Sequence, residues 1–199
     1  MKCLTKMIVT CFYIGKIKIA PGTFGSLLAF PLSGFLAHIL AESGYTLPLI
    51  NYSLTESSVI TFFALMLIVI ILLFFIGIYF SNKYIEANKT EDPKEIVIDE
   101  LVGQMLTIIL CIFSGIFIYD TNLPHKINST ILAFLVSFIM PFVLFRIFDI
   151  FKPWPINYID TNIKGGLGVM LDDVVAAIFA SVIHYALVFI IINNYSGVK

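Results

Sequence analysis

Four short polar segments hold most of the residues able to do chemistry: Ala20-Pro-Gly-Thr-Phe-Gly-Ser26, Ile98-Asp-Glu-Leu-Val-Gly103, Phe145-Arg-Ile-Phe-Asp-Ile-Phe-Lys-Pro-Trp-Pro155 and Gly165-Gly-Leu-Gly-Val-Met-Leu-Asp-Asp173. In the third, Arg146 and Asp149 are three residues apart and share a helix face, and Lys152 adds a second cation before Pro153 and Pro155 stop the helix. Arg presents a fixed fork of donors suited to phosphate, whereas Lys is a mobile point charge. A plain Arg146–Asp149 ion pair is the structural alternative. In the fourth segment, Gly165, Gly166 and Gly168 form a flexible turn whose N–H groups can line an anion. Asp172 and Asp173 stand just before the last hydrophobic helix. One of them can cap it; the other needs a partner, and Mg²⁺ held by one or two carboxylates with a phosphate is the economical choice. Asp99 and Glu100 sit where a helix enters an uncharged run, where a carboxylate is expensive unless paired, with Arg146 or Lys152, or metal-bound. Glu95 precedes Asp99 by four and Glu100 precedes Gln104 by four, so each forms a polar ridge on the helix. Thr23 and Ser26, beside Gly22 and Gly25, offer hydroxyls to phosphate in a small-residue turn.

The elements that carry these segments follow from composition. Hydrophobic residues make up 59% of the 199, only 13% are charged, and the mean hydropathy is +0.99. A soluble core of this length does not need that much apolar surface, so the chain reads as one integral membrane domain, residues 1–199. Uncharged runs cover 19–41, 57–82, 101–119, 127–145 and 174–198, each near the roughly 20 residues a helix needs to span a bilayer. The first contains Pro21, Gly22, Gly25, Pro31 and Gly34, and is read as a kinked span, a re-entrant hairpin or a buried helix. The runs do not alternate as barrel strands would, so the expected fold is an all-α polytopic membrane bundle with four or five embedded helices. Asp92 as N-cap, Pro93 at the first position and Glu95 three residues after the cap predict a helix start there.

With a cytoplasmic N-terminus, ten of the 12 basic residues fall inside, leaving Lys126 and Lys199 outside. Ten of the 13 acids fall on the same side, although acids do not set topology. A polar site at the cytoplasmic membrane face accounts for that. The lysine-rich start superficially resembles a signal peptide, but no convincing small-x-small cleavage site follows, so the first run is expected to be retained. Cys3, Cys11 and Cys111 lack paired spacing and are read as structural thiols, and His184, in the middle of the last run, as a helix-packing histidine. No nucleic-acid partner is expected, and the oligomeric state is left open.

The four blocks, in this order, resemble the phosphatidylglycerophosphatase A family of bacteria, from about Gly15 to about Ala177. The resemblance implies an inner-membrane, multi-pass, Mg²⁺-dependent phosphatase that converts phosphatidylglycerophosphate to phosphatidylglycerol, with its site facing the cytoplasm. It places the family's acidic motif on Asp99 and Glu100, its Arg-x-x-Asp-x-x-Lys-Pro motif on Arg146, Asp149, Lys152 and Pro153, and its Gly-Gly/Asp-Asp motif on Gly165, Gly166, Asp172 and Asp173. Asp99, Glu100, Asp149 and Asp173 are then the expected catalytic set, and these with Asp172 the expected metal ligands. Thr23, Ser26, Arg146, Lys152, Gly165 and Gly166 are the expected phosphate contacts. The chain departs from the family in its 41–60 connection, where no chemistry is expected.

Cys-x5-Arg and Asp-x-Asp-x-Thr motifs are absent, and no histidine lies in the four segments. Hydrolysis by water with Mg²⁺ assistance is therefore the first mechanism, and attack by a motif carboxylate the second. Two rivals are a CDP-alcohol-type phosphatidyl transferase, whose Asp-Gly-x-x-Ala-Arg stretch is missing, and a cation-coupled transporter, which needs acids near the bilayer midplane rather than at one end.

Overall fold

The computed structural model describes residues 2–46, 54–89, 93–120 and 129–196, and the regular structure among them is entirely helical. The N-terminal helix α1 (Lys2–Val9) leads through a 3-10 turn (Ile14–Lys16) to α2 (Pro21–Leu27) and α3 (Ala29–Ser43). The long α4 (Leu54–Asn88) and α5 (Ile98–Asp120) follow. Next come α6 (Ser129–Phe134), a π-helical segment (Leu135–Ile139), α7 (Met140–Phe151), the short α8 (Ile156–Asn162) and α9 (Gly165–Ser196). Four stretches of the described residues are long and apolar enough to cross a membrane: Pro21–Ser43, Ser57–Asn88, Ile131–Phe151 and Gly165–Asn194.

The helix between them, α5, is the inner one. It packs on α2, α3, α4, α7 and α9, and its Val102, Met105, Ile109 and Gln104 are essentially inaccessible. The surrounding helices turn Ile68, Leu72 and Phe75 of α4 and Val182 and Phe189 of α9 outward. Large apolar side chains on the outside and small or polar ones within are what a bilayer demands of a helical bundle.

The first apolar run is a nearly continuous span rather than a hairpin. Leu28, between α2 and α3, has helical dihedrals, and its N–H reaches the carbonyls of Phe24 and Gly25 at 3.2 Å. In the fourth run, Pro141 has no N–H to return to the preceding turn, and the π-helical segment lies directly before it.

Two expected helix starts move. Asp92 lies outside the described residues, but Pro93 and Glu95 precede α5, which begins only at Ile98. Ile96 and Val97 are buried instead as an irregular plug, with the Val97 N–H donating to the Val9 carbonyl at 2.9 Å. Glu95 accepts from the Tyr84 hydroxyl at 2.5 Å, so burial and that bond replace the capping box. At the other end of the bundle, α9 starts at Gly165. Gly166 and Gly168 are therefore helix rather than a flexible turn, Gly165 alone keeps a left-handed turn backbone (φ 76°) at the entry, and Asp172 and Asp173 lie inside α9 rather than before it. Close packing against α4 explains Gly166, where a Cβ would strike the Ile78 carbonyl oxygen and come within 3.0 Å of the Asn82 nitrogen, whereas at Gly168 a Cβ would strike the Ile163 carbonyl oxygen just before α9.

Candidate active site

The four polar segments meet at one end of the bundle, where α2 and α5 begin, α7 ends and α9 is in its early turns. From α5, Asp99 and Glu100 project beside Asp173 of α9, and one carboxylate oxygen from each lies within 4.8 Å of the others. This approach requires α9 to press on α5 at Gly103, where an added Cβ would lie 2.7 Å from the Phe145 ring and 3.1 Å from Asp173 Cβ. Asp149 of α7 borders Asp173.

Among the described residues, one cation faces this group. Arg146 Nη1 donates to Asp149 Oδ2, forming the ion pair that spacing alone allowed. The same nitrogen lies 4.0 Å from Glu100 Oε1 and 3.3 Å from Ser26 Oγ, to which it donates. Ser26 in turn donates to the Gly22 carbonyl at 3.0 Å. Gly22 closes the site from above: a Cβ there would overlap Glu100 Oε1 and approach Arg146 Nη1 to 3.2 Å. Four carboxylates therefore share one guanidinium. Asp99 Oδ1, Glu100 Oε2 and Asp173 Oδ2 are buried and have no hydrogen-bond partner among the described residues. Buried carboxylate oxygens without donors are strongly unfavourable. A hard divalent cation, which takes oxygen ligands, fits this donor set.

The remaining expected site residues are placed differently. Lys152, at the C-cap of α7, donates to Asp172 Oδ2 at 2.6 Å and to Asp160 Oδ1 of α8 at 2.7 Å. Burial alone would lower the Lys152 pKa, but Asp172 and Asp160 outweigh it and hold the ammonium above its ordinary value. Asp172, expected among the metal ligands, has its second oxygen accepting the Asp173 N–H at 3.0 Å, so both of its oxygens are engaged. Gly165 and Gly166, expected to line an anion, pack on α4 instead, and the Gly166 N–H donates to Asn82 Oδ1 at 2.7 Å. Thr23 is half-buried at the start of α2, one residue from Gly22.

Two contributors escaped sequence reasoning. Asp160 and Asn82 lie in segments with no motif, and only the folded contacts with Lys152 and Gly166 reveal them. Gln104, one turn along α5 from Glu100, is fully buried with neither amide atom partnered. Its spacing from Glu100 was the available signal.

A Haemophilus influenzae phosphatidylglycerophosphatase A is 32% identical over 176 residues, 88% of this chain and 83% of that protein. The Escherichia coli phosphatidylglycerophosphatase A is 31% identical over 174 residues, 87% of this chain and 77% of that protein. A Bacteroides thetaiotaomicron relative, 31% identical over 90% of this chain and 91% of its own length, carries the provisional name phosphatidylinositol-3-phosphatase. No solved structure matches the chain. The family model described as phosphatidylglycerophosphatase A matches residues 7–188, a stretch that includes every residue of the acid cluster, and the chain belongs to that family.

Proposed function

We propose that the chain is a membrane phosphatase that hydrolyses the phosphate monoester of phosphatidylglycerophosphate, releasing phosphatidylglycerol and phosphate, with Mg²⁺ at the Asp99–Glu100–Asp173 cluster. The observation that carries this reading is the charge imbalance: four carboxylates around one guanidinium, with three buried oxygens unpartnered. A phosphatase site must bind a dianionic phosphate monoester, and carboxylates alone would repel it. When bound, the cation would neutralise phosphoryl charge and favour a nucleophilic water.

The chain's own residues do the rest. Asp99, Glu100 and Asp173 would hold the cation, with Asp149 bordering it. Arg146 offers a planar fork to the phosphoryl oxygens; Asp149 and Ser26 orient it, and its Nε is buried and unpartnered. Lys152 holds Asp172 and Asp160, which fixes the junction between α7, α8 and α9 next to the site. A lipid substrate keeps its acyl chains in the bilayer, so the site has to lie at headgroup depth. Phe151, Trp154 and Tyr158 are exposed beside it and suit that interface. We place the site on the cytoplasmic face of a bacterial inner membrane, from the distribution of basic residues.

Purified full-length protein should release phosphate from phosphatidylglycerophosphate faster than from phosphatidic acid or phosphatidylinositol 3-phosphate, and only with a divalent cation. Turnover undiminished by a chelator would remove the metal from the proposal. Preferential hydrolysis of phosphatidylinositol 3-phosphate would change the substrate. A single cysteine introduced at Ile163 should be labelled from the cytoplasmic side of intact cells; periplasmic labelling would reverse the orientation.

A further inference from the structure

Away from the acid cluster, α1 and α4 border a cavity of about 480 Å³ lined by Thr5, Lys6, Lys83, Tyr84, Glu86 and Asn88. Neither Lys6 nor Lys83 forms an ion pair with a carboxylate among the described residues. Lys83 is held by Tyr79, donating to its hydroxyl with Nζ 4.2 Å from the ring centroid. Lys16 reaches the same place from the 3-10 turn, where contact with the Lys6 amine pulls its pKa below the usual lysine value. Glu86 is the one carboxylate in the lining and pairs with neither lysine among the described residues, so the ammonium groups outnumber it and leave room for an anion, which lysine serves as a point charge.

An apolar groove of about 550 Å³ adjoins the same helices, lined by Ile8 of α1, Phe12 just beyond it, Leu73 and Ile76 of α4, and Leu32 and Phe35 of α3. Ile76 precedes Lys83 by seven residues, a rise of about 10 Å along α4. A patch of positive charge and a greasy channel therefore follow one seam, the positive end where α4 emerges from its apolar stretch.

We propose that the α1–α4 seam is a phospholipid site separate from the acid cluster, with the phosphodiester of an anionic lipid held by Lys6 and Lys83 and an acyl chain in the groove. Asp99, Glu100 and Asp173 line neither space, so the seam needs no phosphate monoester and no metal. Ile98 and Leu101, which flank Asp99 and Glu100, nevertheless form part of the groove wall, so a lipid seated there lies next to the site. An anionic diester lipid is also what the proposed reaction releases, although binding at the seam does not depend on turnover.

The test is thermal unfolding of the full-length protein in detergent with dioleoyl phosphatidylglycerol, dioleoyl phosphatidylcholine or inorganic phosphate. Phosphatidylglycerol should raise Tm saturably and the other two should not. Lys6→Gln and Lys83→Gln should each weaken the apparent lipid affinity about tenfold. Lys6→Arg and Lys83→Arg should keep it, and Leu32→Trp, which fills the groove, should lower it. Asp99→Asn should leave the lipid-induced shift intact, which separates this site from the acid cluster whatever that cluster hydrolyses. Equal protection by phosphatidylcholine would reduce the seam to ordinary lipid contact and overturn the proposal. Protection by phosphate alone, lost in the lysine variants, would make it a free-anion site. If the Gln variants fold poorly, native mass spectrometry of the Arg variants decides: loss of bound phosphatidylglycerol there rejects the site.

Discussion

Asp172 and Asp173 are neighbours in sequence, both nearly inaccessible, and they meet opposite fates. Asp172 is neutralised, one oxygen on Lys152 and the other on a backbone N–H. Asp173 faces Asp99 and Glu100 with Oδ2 unpartnered. Consecutive residues in a helix point about 100° apart, so one acid looks to the α7–α8 junction and the other into the bundle. The contrast shows that the fold can supply a lysine to a buried carboxylate at this depth and does so one residue away. The open cluster is therefore not a failure of pairing. A site that left buried carboxylates ionised without a ligand would be unfavourable by several kcal/mol, which is why the proposed function puts a cation there.

The strongest way to break this comparison is to remove charge from the open side. Asp173→Asn and Asp99→Asn keep the shape and delete an anionic oxygen that a hard cation requires, so phosphate release should fall by about three orders of magnitude or more. The proteins should remain inserted, with thermal stability unchanged or raised, because deleting a charge from an unbalanced acidic cluster relieves repulsion. Near-normal turnover at saturating Mg²⁺ in either variant would return that residue to a structural role.

The guanidinium comes next. Arg146→Lys keeps the charge and loses the planar fork, so activity should fall about a hundredfold, and additional Mg²⁺ should not restore it. Asp149→Asn should instead raise the Mg²⁺ concentration needed for half-maximal turnover, because Asp149 borders Asp173. If Mg²⁺ rescued Arg146→Lys while Asp149→Asn kept its metal dependence, the Arg146–Asp149 pair would be structural only.

On the neutralised side the effect should be smaller. Asp172→Asn loses the ion pair that holds Lys152 but leaves the three open oxygens, and groups that orient a metal site from outside it typically contribute about 10- to 100-fold. The loss should sit at the lower end of that range, and Lys152→Gln should reproduce it. A loss as deep as that of Asp173→Asn would erase the distinction between the two acids and put Asp172 among the ligands.

Much of this was legible before folding, for a physical reason. Carboxylates at the mouth of an apolar run are costly, so Asp99, Glu100 and Asp173 stand out in a chain with 13% charged residues. Four of the five uncharged runs fall in stretches long and apolar enough to cross a membrane, and the convergence of the four segments agrees with the charge distribution. The division of labour within the segments was not legible. Whether Asp172 or Asp173 faces the bundle depends on where α9 begins, and Gly166, which looked like part of a loop, is a residue that lets α9 pack on α4. The start of α5 was misplaced because a local capping pattern competed with burial of Ile96 and Val97, and burial won. Asp160 and Asn82 had no pattern to announce them.

The smallest expected effect tests a third kind of buried polar residue, one that is partnered and remote. His184 is fully buried in α9, with Nε2 2.7 Å from Ser114 Oγ on α5. It follows Asp173 by eleven residues, roughly 16 Å along the helix, too far to touch a phosphate held by the acid cluster. Its Nδ1 lacks a partner, as Asp173 Oδ2 does, so an unpartnered buried atom alone cannot mark the active site. What differs is company: among the described residues His184 belongs to no group of acids, histidines or cysteines placed to share a cation. Hydrogen bonds between membrane helices contribute about 0.6 kcal/mol on average and up to about 1.7. His184→Phe should therefore lower the thermal midpoint slightly while turnover and Mg²⁺ dependence stay within about twofold of the parent protein. A hundredfold loss of turnover with an unchanged midpoint would show that buried polarity deep in the bundle, and not only the acid cluster at its end, takes part in catalysis.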